Sequence, residues 1–320
     1  MVVLVIAVVS LRLDRSDPVD ANFLKGAHAW QSGEPGATEL SMKYFQAVLD
    51  TQPQHAESLA YLAEISSMQG AYDDAESYAV AALNAGPSAR AYPALASIAA
   101  KRDWDWPSAA AWTDRAIEHD ESFADAWSMK AMLATIRGDK AAAIAATDRA
   151  YKLAPVSALI RTDHGWFHYY AGEYETAMGI CREAFELRRV SWASAYCRLK
   201  SARAANRPAE ALDAGRDIYG LWTGASRENA VARITTLSEF DDWHMISLRT
   251  SFAKGAPLWE AMAKAEMTAG RTKTALTLLE EAHEQHSSEL PLALRNPAFQ
   301  PLYSDQRYAE LINKTRIALK

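Results

Sequence analysis

The sequence contains little of what several protein classes require. Glycine (14 residues) and proline (12 residues) are scarce, and two cysteines without metal-ligand spacing predict neither a disulfide framework nor a zinc site. Lysine and arginine (34) are fewer than aspartate and glutamate (40), and the net charge of −6 argues against a large nucleic-acid surface. Phosphate-binding glycine loops, nucleophile elbows and HExxH motifs do not occur. The chain is therefore predicted not to be an enzyme, to bind no cofactor or metal and to make no direct contact with nucleic acid.

The abundant residues indicate an all-helical protein with an internal repeat. Alanine is frequent and aromatic residues make up 10 % of the chain, which favours helices over a β-sandwich. Prolines 53 and 87 are separated by 34 residues, and small residues recur at the same step. These columns are Ala75, Ala109, Ala143 and Ala177; Ala82, Ala116, Ala150 and Ala184; and Ala63, Ala131 and Gly165. A fixed period of this length predicts stacked helix pairs, because one pair cannot bury its apolar face alone.

This pattern resembles the tetratricopeptide repeat. One unit contains Trp127, Ala131, Gly138, Ala143, Ala150 and Pro155, and another contains Trp259, Ala263, Gly270, Ala275 and Ala282. The resemblance implies an all-α, right-handed superhelix of about seven helix–turn–helix repeats with a C-terminal capping helix. It also implies a concave face that binds a protein or peptide, and self-association is a further expectation.

Three segments are predicted. Residues 1–18 form an apolar N-terminal segment, which we interpret as the remnant of a membrane anchor or as an ordinary buried helix. Residues 19–286 form the repeat array, with a weaker signal between 219 and 256 where helices with longer joints are expected. Residues 287–320 form the capping segment.

Some segments resemble a narrower group, the periplasmic halves of CadC/ToxR-like membrane-anchored winged-helix regulators. They include 23–30, 102–106, 165–170 and 296–308. The resemblance implies an extracytoplasmic sensor attached to the membrane through its N-terminus. A similar repeat region also follows some class III nucleotide cyclase domains. Because this sequence contains neither a winged helix nor a cyclase domain, DNA binding and catalysis are not implied. The alternative is a free-standing scaffold or adaptor in the cytoplasm.

Binding residues are predicted from the repeat register, in which positions 2, 5, 9, 12 and 13 of each first helix face the groove. The candidates are Leu159, Thr162, Trp166, Tyr169 and Tyr170 in the central unit, Asp125, Ser128, Met132, Thr135 and Ile136 before it, and Tyr196, Lys200 and Arg203 after it. Aromatic rings beside cations suit an extended peptide or an anionic group. The alternative is that Trp166 and Tyr169 only pack between repeats.

Three smaller features also have alternative interpretations. His164 and His168 share a helix face, but no third metal ligand is evident, so packing or pH sensing is preferred. Aspartates 103, 105, 241 and 242 are interpreted as turn and cap residues rather than catalytic pairs. Cys181 and Cys197 are interpreted first as two buried thiols. The alternative is a disulfide in an oxidising compartment, because the two cysteines lie on helices that neighbouring repeats would stack.

Overall fold

The computed structural model describes residues 18–32, 36–188 and 191–316, and every regular element within those ranges is a helix. The helices are α1 (Pro18–Ser32), α2 (Ala37–Thr51), α3 (Ala56–Met68), α4 (Tyr72–Ala85), α5 (Ala91–Lys101), α6 (Trp106–His119), α7 (Ala124–Arg137), α8 (Lys140–Leu153), α9 (Ala158–Ala171), α10 (Tyr174–Leu187), α11 (Trp192–Ala204), α12 (Pro208–Thr223), α13 (Arg227–Arg233), α14 (Leu237–Ala253), α15 (Trp259–Thr268), α16 (Thr272–Glu284), α17 (Leu290–Ala293) and α18 (Gln306–Lys314). A 3₁₀ helix, Pro297–Leu302, lies between the last two. The apolar run at Val2–Val9 lies outside the described residues.

The 34-residue period corresponds to a repeated backbone conformation. The turn between the two helices of a pair has a left-handed residue at positions 36, 70, 104, 138, 172 and 206, which are spaced by 34. Glycine occupies four of these positions, while Trp104 (φ 51°) and Asn206 (φ 55°) occupy the other two. A bulky residue rarely adopts this conformation. Trp104 is held there by stacking on His286, with ring centroids 3.9 Å apart.

The columns of small residues lie where helices meet. Each of the eight alanines in the two complete columns is at most 2 % exposed, and Ala63, Ala131 and Gly165 are also buried. Because a methyl group takes little room, the two helices of a pair can approach closely and larger residues fill the space around them. The predicted helix pairs therefore follow from the alanine spacing.

The chain divides into two compact units, and the division falls within α5 and α6. The first unit comprises residues 18–98 and 115–120 of the described chain, and its core contains Phe45, which stacks on Tyr61 with centroids 4.6 Å apart. Gly26 on α1 faces Phe45, and a Cβ atom there would lie 2.8 Å from the ring. The Ser41 hydroxyl donates to the Gly26 carbonyl at 2.8 Å, which joins α1 to α2.

The second unit comprises residues 99–114 and 121–316, apart from 189 and 190, and is built around α9. This helix packs against α7, α8, α10 and α11. Ser157 begins α9 by accepting a hydrogen bond from the Ile160 amide, and Gly172 ends it in the left-handed conformation. Where the repeat signal is weak, α13 has seven residues and α14 has seventeen. The prediction of longer joints there is wrong, because it is the lengths of these helices that depart from the regular pairs.

The C-terminal segment has two roles in the second unit. Helix α18 packs on α16 and buries Tyr308, Leu311 and Ile312 in the last core, as a capping helix would. The preceding stretch, α17 and the 3₁₀ helix, extends to the central repeats. There Arg295 Nε donates to the Ile136 carbonyl at 2.7 Å. The sequence predicts the cap but not this second contact.

Membrane attachment was a further expectation. Within the described ranges, no helix combines the length and apolar character that a membrane span requires.

Candidate ligand-binding groove

The three candidates on the first turns of α9 differ in their surroundings. Leu159 is exposed, whereas Thr162 is buried and its hydroxyl donates to the Ala158 carbonyl at 2.7 Å. Trp166 is half-buried, and its indole N–H donates to the Ala193 carbonyl at 3.1 Å. Thr162 is thus a structural residue, and Trp166 joins α9 to α11. The packing interpretation of Trp166 fits this geometry.

The candidates on α7 mostly contact other parts of the same chain. Ser128 is buried, and its hydroxyl donates to Asp163 Oδ2 at 2.6 Å. Met132 packs in the last hydrophobic core together with Leu292 of α17. Asp125 is half-buried. The register predicts an open face on α7, but the C-terminal segment covers part of this helix.

Asp163 on α9 accepts the hydrogen bond from Ser128. Burial raises the pKa of Asp163 to about 6, although this hydrogen bond and the charge of Lys101 partly oppose the shift. In the unfolded chain the pKa is about 3.8. The folded state therefore binds more protons than the unfolded state between about pH 4 and pH 6, and the protein loses stability as pH rises through that window.

Replacing Asp163 with asparagine keeps an acceptor for Ser128 and removes the buried charge. We expect the variant to be about 1–3 kcal/mol more stable than the original protein at pH 7.5 and equally stable below pH 4. Urea unfolding across this pH range measures the difference. Asp114→Asn, at an exposed carboxylate, is the control and should change stability by less than about 0.5 kcal/mol. An equal gain for Asp163→Asn at every pH would contradict the explanation.

The candidates on α11 form a separate cluster. The Tyr196 hydroxyl lies 2.8 Å from His244 Nε2, and Arg203 pairs with Asp241. Burial, with the charges of Arg203 and Lys264, lowers the pKa of Lys200 to about 7. These groups therefore interact with α14, which the weak repeat signal did not allow us to place, and Arg203 is not an open ligand for an anion.

Tyr169 and Tyr170 contact the C-terminal segment. The Tyr169 hydroxyl donates to Asn296 Oδ1 at 3.1 Å, and Tyr169 is almost fully buried. Burial raises the pKa of Tyr170, and a hydrogen bond with Asn296 partly opposes the rise. Both hydroxyls are therefore neutral at physiological pH. Thr135 and Ile136 are also buried on the neighbouring helix. At this level of the groove the chain's own segment occupies the place that we predicted for a peptide.

A cavity of about 330 Å³ remains open beside that segment. Its polar lining comes from α7, α8, α9, α10 and the C-terminal segment, and it comprises Thr135, Arg137, Lys140, Tyr170, Tyr174, Arg295, Gln300 and Tyr303. Three of these residues are cations and three are tyrosines, and the lining contains no carboxylate. Tyr303 is about half exposed, so the cavity opens to solvent.

The cations of the cavity are placed by different parts of the chain. Arg137 ends α7 and Lys140 begins α8, and both are exposed. Gly138 between them is left-handed, and a Cβ atom there would lie 3.7 Å from the Arg295 guanidinium carbon. In the described part of the chain neither Arg137 nor Lys140 forms a salt bridge. An anion entering the cavity would meet positive charge from three directions.

Several of these residues were missed by the sequence analysis. Arg137 and Lys140 belong to the inter-helix turn, and Tyr174 belongs to a second helix, so the groove register excluded them. Arg295 and Tyr303 lie in the tail, far from the repeats in sequence. Of the predicted residues, only Tyr170 and Thr135 line the cavity.

The aspartates near Trp104 and the two cysteines make contacts within their own part of the chain. Asp105 accepts hydrogen bonds from the amide and the hydroxyl of Ser108 at the start of α6, and Asp103 pairs with Arg102. The structure joins Cys181 on α10 and Cys197 on α11 by a disulfide, with Cα atoms 5.8 Å apart. A disulfide in the native protein stays a prediction.

The interpretation of the histidine pair needs a correction. His164 and His168 do have a third neighbour of metal-ligand type, because Asp148 on α8 lies 2.9 Å from His164 Nε2. The carboxylate is 16 residues away in sequence and comes from another helix, so spacing along α9 could not reveal it.

Comparisons with known proteins identify the architecture. No family model and no curated protein matches the sequence. Among solved structures, yeast Tom70 is similar at a TM-score of 0.51 and 15 % identity, over 93 % of this chain and 68 % of Tom70. A monomeric IFIT1 mutant with Gppp-AAAA is similar at a TM-score of 0.54 and 13 % identity, over 84 % of this chain and 72 % of IFIT1. The human IFIT1 dimer is similar at a TM-score of 0.53 and 14 % identity, over the same shares of the two chains.

These likenesses confirm the predicted fold. The described chain is an all-α tetratricopeptide solenoid with consecutive packed helix pairs. The narrower resemblance to membrane-anchored regulators finds no support in any of the comparisons.

Proposed function

We propose that the chain is a non-catalytic tetratricopeptide interaction module, acting as a scaffold or adaptor that binds an acidic segment of a partner protein. One observation carries the proposal, namely the cavity lined by Arg137, Lys140 and Arg295 beside three tyrosine rings. The protein as a whole is negatively charged, at −6, whereas the lining of this one opening carries three cations and no carboxylate. Arginine guanidinium groups bind carboxylates through paired hydrogen bonds, and tyrosines add a rigid apolar wall.

The mode of binding follows from the shape of the site. The cavity is small for a folded domain, so it would admit one or two side chains or a chain terminus of an extended segment. Arg295 is oriented by its hydrogen bond to the Ile136 carbonyl, whereas Arg137 and Lys140 are exposed and adaptable. The fixed cation would define the position of an acidic group, and the exposed pair would supply attraction over a longer range.

The sequence is compatible with two cellular settings, a free-standing scaffold and a membrane-attached sensor. The scaffold reading requires only the fold and a binding surface. The sensor interpretation requires in addition a membrane anchor in the predicted segment 1–18, of which residues 1–17 lie outside the described residues. We propose the scaffold, because none of the comparisons supports the resemblance to membrane-anchored regulators.

Binding of a fluorescent hexaglutamate peptide tests the proposal, with a hexaglutamine peptide as the neutral probe. We expect the acidic peptide to bind more tightly, with an affinity that falls as salt rises. Arg137→Ala and Lys140→Ala should each weaken binding by about fivefold to tenfold, because each removes a charge from the cavity. Fluorescence anisotropy at two salt concentrations measures these changes.

The matched control is Lys152→Ala, which removes an exposed lysine from the same helix as Lys140 but outside the cavity. It should leave the affinity within about twofold. Equal binding of the two peptides would contradict the proposal, as would equal losses in all three variants. Since the similar IFIT1 structures contain Gppp-AAAA, an adenine oligoribonucleotide is included as a competitor. If it displaced the peptide completely while binding more tightly, RNA would replace protein as the ligand.

A further inference from the structure

Three side chains from α8 and α9 converge on one point away from the cavity. His164 Nε2 lies 2.9 Å from Asp148 Oδ1 and 2.9 Å from His168 Nε2, and His168 Nε2 lies 3.7 Å from the same carboxylate oxygen. His164 and His168 are four residues apart on α9 and therefore share a face. Both rings are buried, while the Asp148 side chain is 44 % exposed.

The hydrogen atoms of this cluster define what it can bind. His168 Nδ1 lies 2.6 Å from Glu173 Oε2, and a carboxylate can only accept, so Nδ1 carries the hydrogen. In the neutral ring His168 Nε2 then has a lone pair directed at His164 and Asp148. A single hydrogen on His164 Nε2 has two acceptors at the same distance and cannot align with both. A cation at the centre would satisfy all three atoms.

The surroundings hold the ligand side chains in place. Tyr151 stacks on the His164 ring with centroids 4.8 Å apart and fixes its plane. The Arg161 side chain, a cation close enough to act on His164, is paired with Glu183 at 2.8 Å.

We propose that Asp148, His164 and His168 bind a divalent metal ion of the zinc class, with Glu173 as the carboxylate that orients His168. Two imidazole nitrogens and one carboxylate oxygen are a common protein ligand set for Zn²⁺. Bonds of about 2.0–2.1 Å in a tetrahedral site place ligand atoms about 3.3 Å apart, and the three distances here lie on either side of that value. Small side-chain movements would therefore complete the site.

The position of the site indicates its role. Asp148 belongs to the second helix of one repeat, and both histidines belong to the first helix of the next. A bound ion would cross-link two neighbouring repeats at the centre of the second unit. Since Asp148 is partly exposed, the fourth coordination position would face solvent and accept water.

Zinc affinity of the whole chain tests this site. The protein is stripped with a chelator, and Zn²⁺ binding is measured by competition with a chromophoric chelator and by metal analysis. We expect one ion per chain for the original protein. Asp148→Ala should weaken binding by more than about 100-fold. Glu173→Ala should weaken it by about 10- to 100-fold, because it removes only the orienting carboxylate.

Both variants change partly exposed side chains, so folding should be preserved, and circular dichroism in chelator checks this. The matched control, His119→Ala, removes an exposed histidine outside the cluster and should leave the affinity unchanged. Failure of the original protein to retain zinc would overturn the proposal. Unchanged affinity in Asp148→Ala would overturn it too, as would an equal loss in His119→Ala.

Discussion

Replacing Gly165 with alanine is expected to lower the free energy of unfolding by about 3 kcal/mol. A Cβ atom at this position would lie 2.2 Å from Cys181 Sγ, 3.2 Å from Cys197 Sγ and 3.4 Å from the Cys181 backbone nitrogen. The backbone cannot yield without moving α10 away from α9, and overpacking of this severity lies at the upper end of measured costs. The higher helix propensity of alanine returns about 1 kcal/mol at most. Urea denaturation followed by circular dichroism measures the loss.

Gly179→Ala is the control, because Gly179 also lies inside a helix, α10, but a Cβ atom there meets nothing within 4 Å. This variant should be as stable as the original protein or slightly more stable. If Gly165→Ala were equally harmless, α9, α10 and α11 would not approach one another as closely at this position as the structure shows.

Replacing Arg198 with methionine should destabilise the protein by about 3–5 kcal/mol. The Arg198 guanidinium is buried and donates to Glu210 at 2.6 Å, to Asp217 at 2.7 Å and to Asp213. Methionine keeps most of the volume but removes the charge, so all three carboxylates lose their bond to Arg198. Asp213 and Asp217 would still be paired with Arg227, but Glu210 is not bonded to Arg227. Differential scanning calorimetry at pH 7 measures the change.

The pH dependence of this variant supplies a second readout. Burial raises the pKa of Asp213, but the hydrogen bonds and charges of Arg198 and Arg227 outweigh burial and lower it overall. The stability that Asp213 contributes is therefore present above its unfolded pKa of about 3.8 and is lost as pH falls through its lower, folded value. The difference between the original protein and Arg198→Met should shrink at acid pH.

Arg207→Met is the control for charge removal. Arg207 pairs with Glu175 at 2.7 Å, but both side chains are more than half exposed, and such pairs contribute about 0–1 kcal/mol. Comparable losses for Arg198→Met and Arg207→Met would show that the buried network does not contribute as described.

The repeat architecture could be predicted from the sequence because it depends on local and regularly spaced features. A small residue every 34 positions specifies where two helices touch, and the same step recurs in the left-handed turns. Ala143 and Ala177 show this directly, since both are buried at the place their spacing indicates. The exception is residues 219–256, where the repeat signal fades and α14 packs on α12 through Phe240 and Gly215.

The candidate site was predicted less well, because it depends on contacts between distant segments. Arg295 and Ile136 are 159 residues apart, and Tyr169 and Asn296 are 127 apart. Neither contact has a periodic signal. A register that assumes an open groove therefore named Tyr169 and Met132 as binding residues, although the C-terminal segment covers both. Asp148 was missed as a neighbour of the histidine pair for the same reason, because only the packing of α8 on α9 brings it to the histidines.

The most direct test of the proposed binding site is photo-crosslinking at the cavity in living cells. A photoreactive benzoylphenylalanine replaces Tyr303, which lines the cavity and is about half exposed, and in a second strain it replaces Val156, an exposed residue outside it. We predict that position 303 yields a discrete cross-linked protein, that position 156 does not, and that Lys140→Ala weakens the product. Identical products at both positions, or no protein product at 303, would contradict the account.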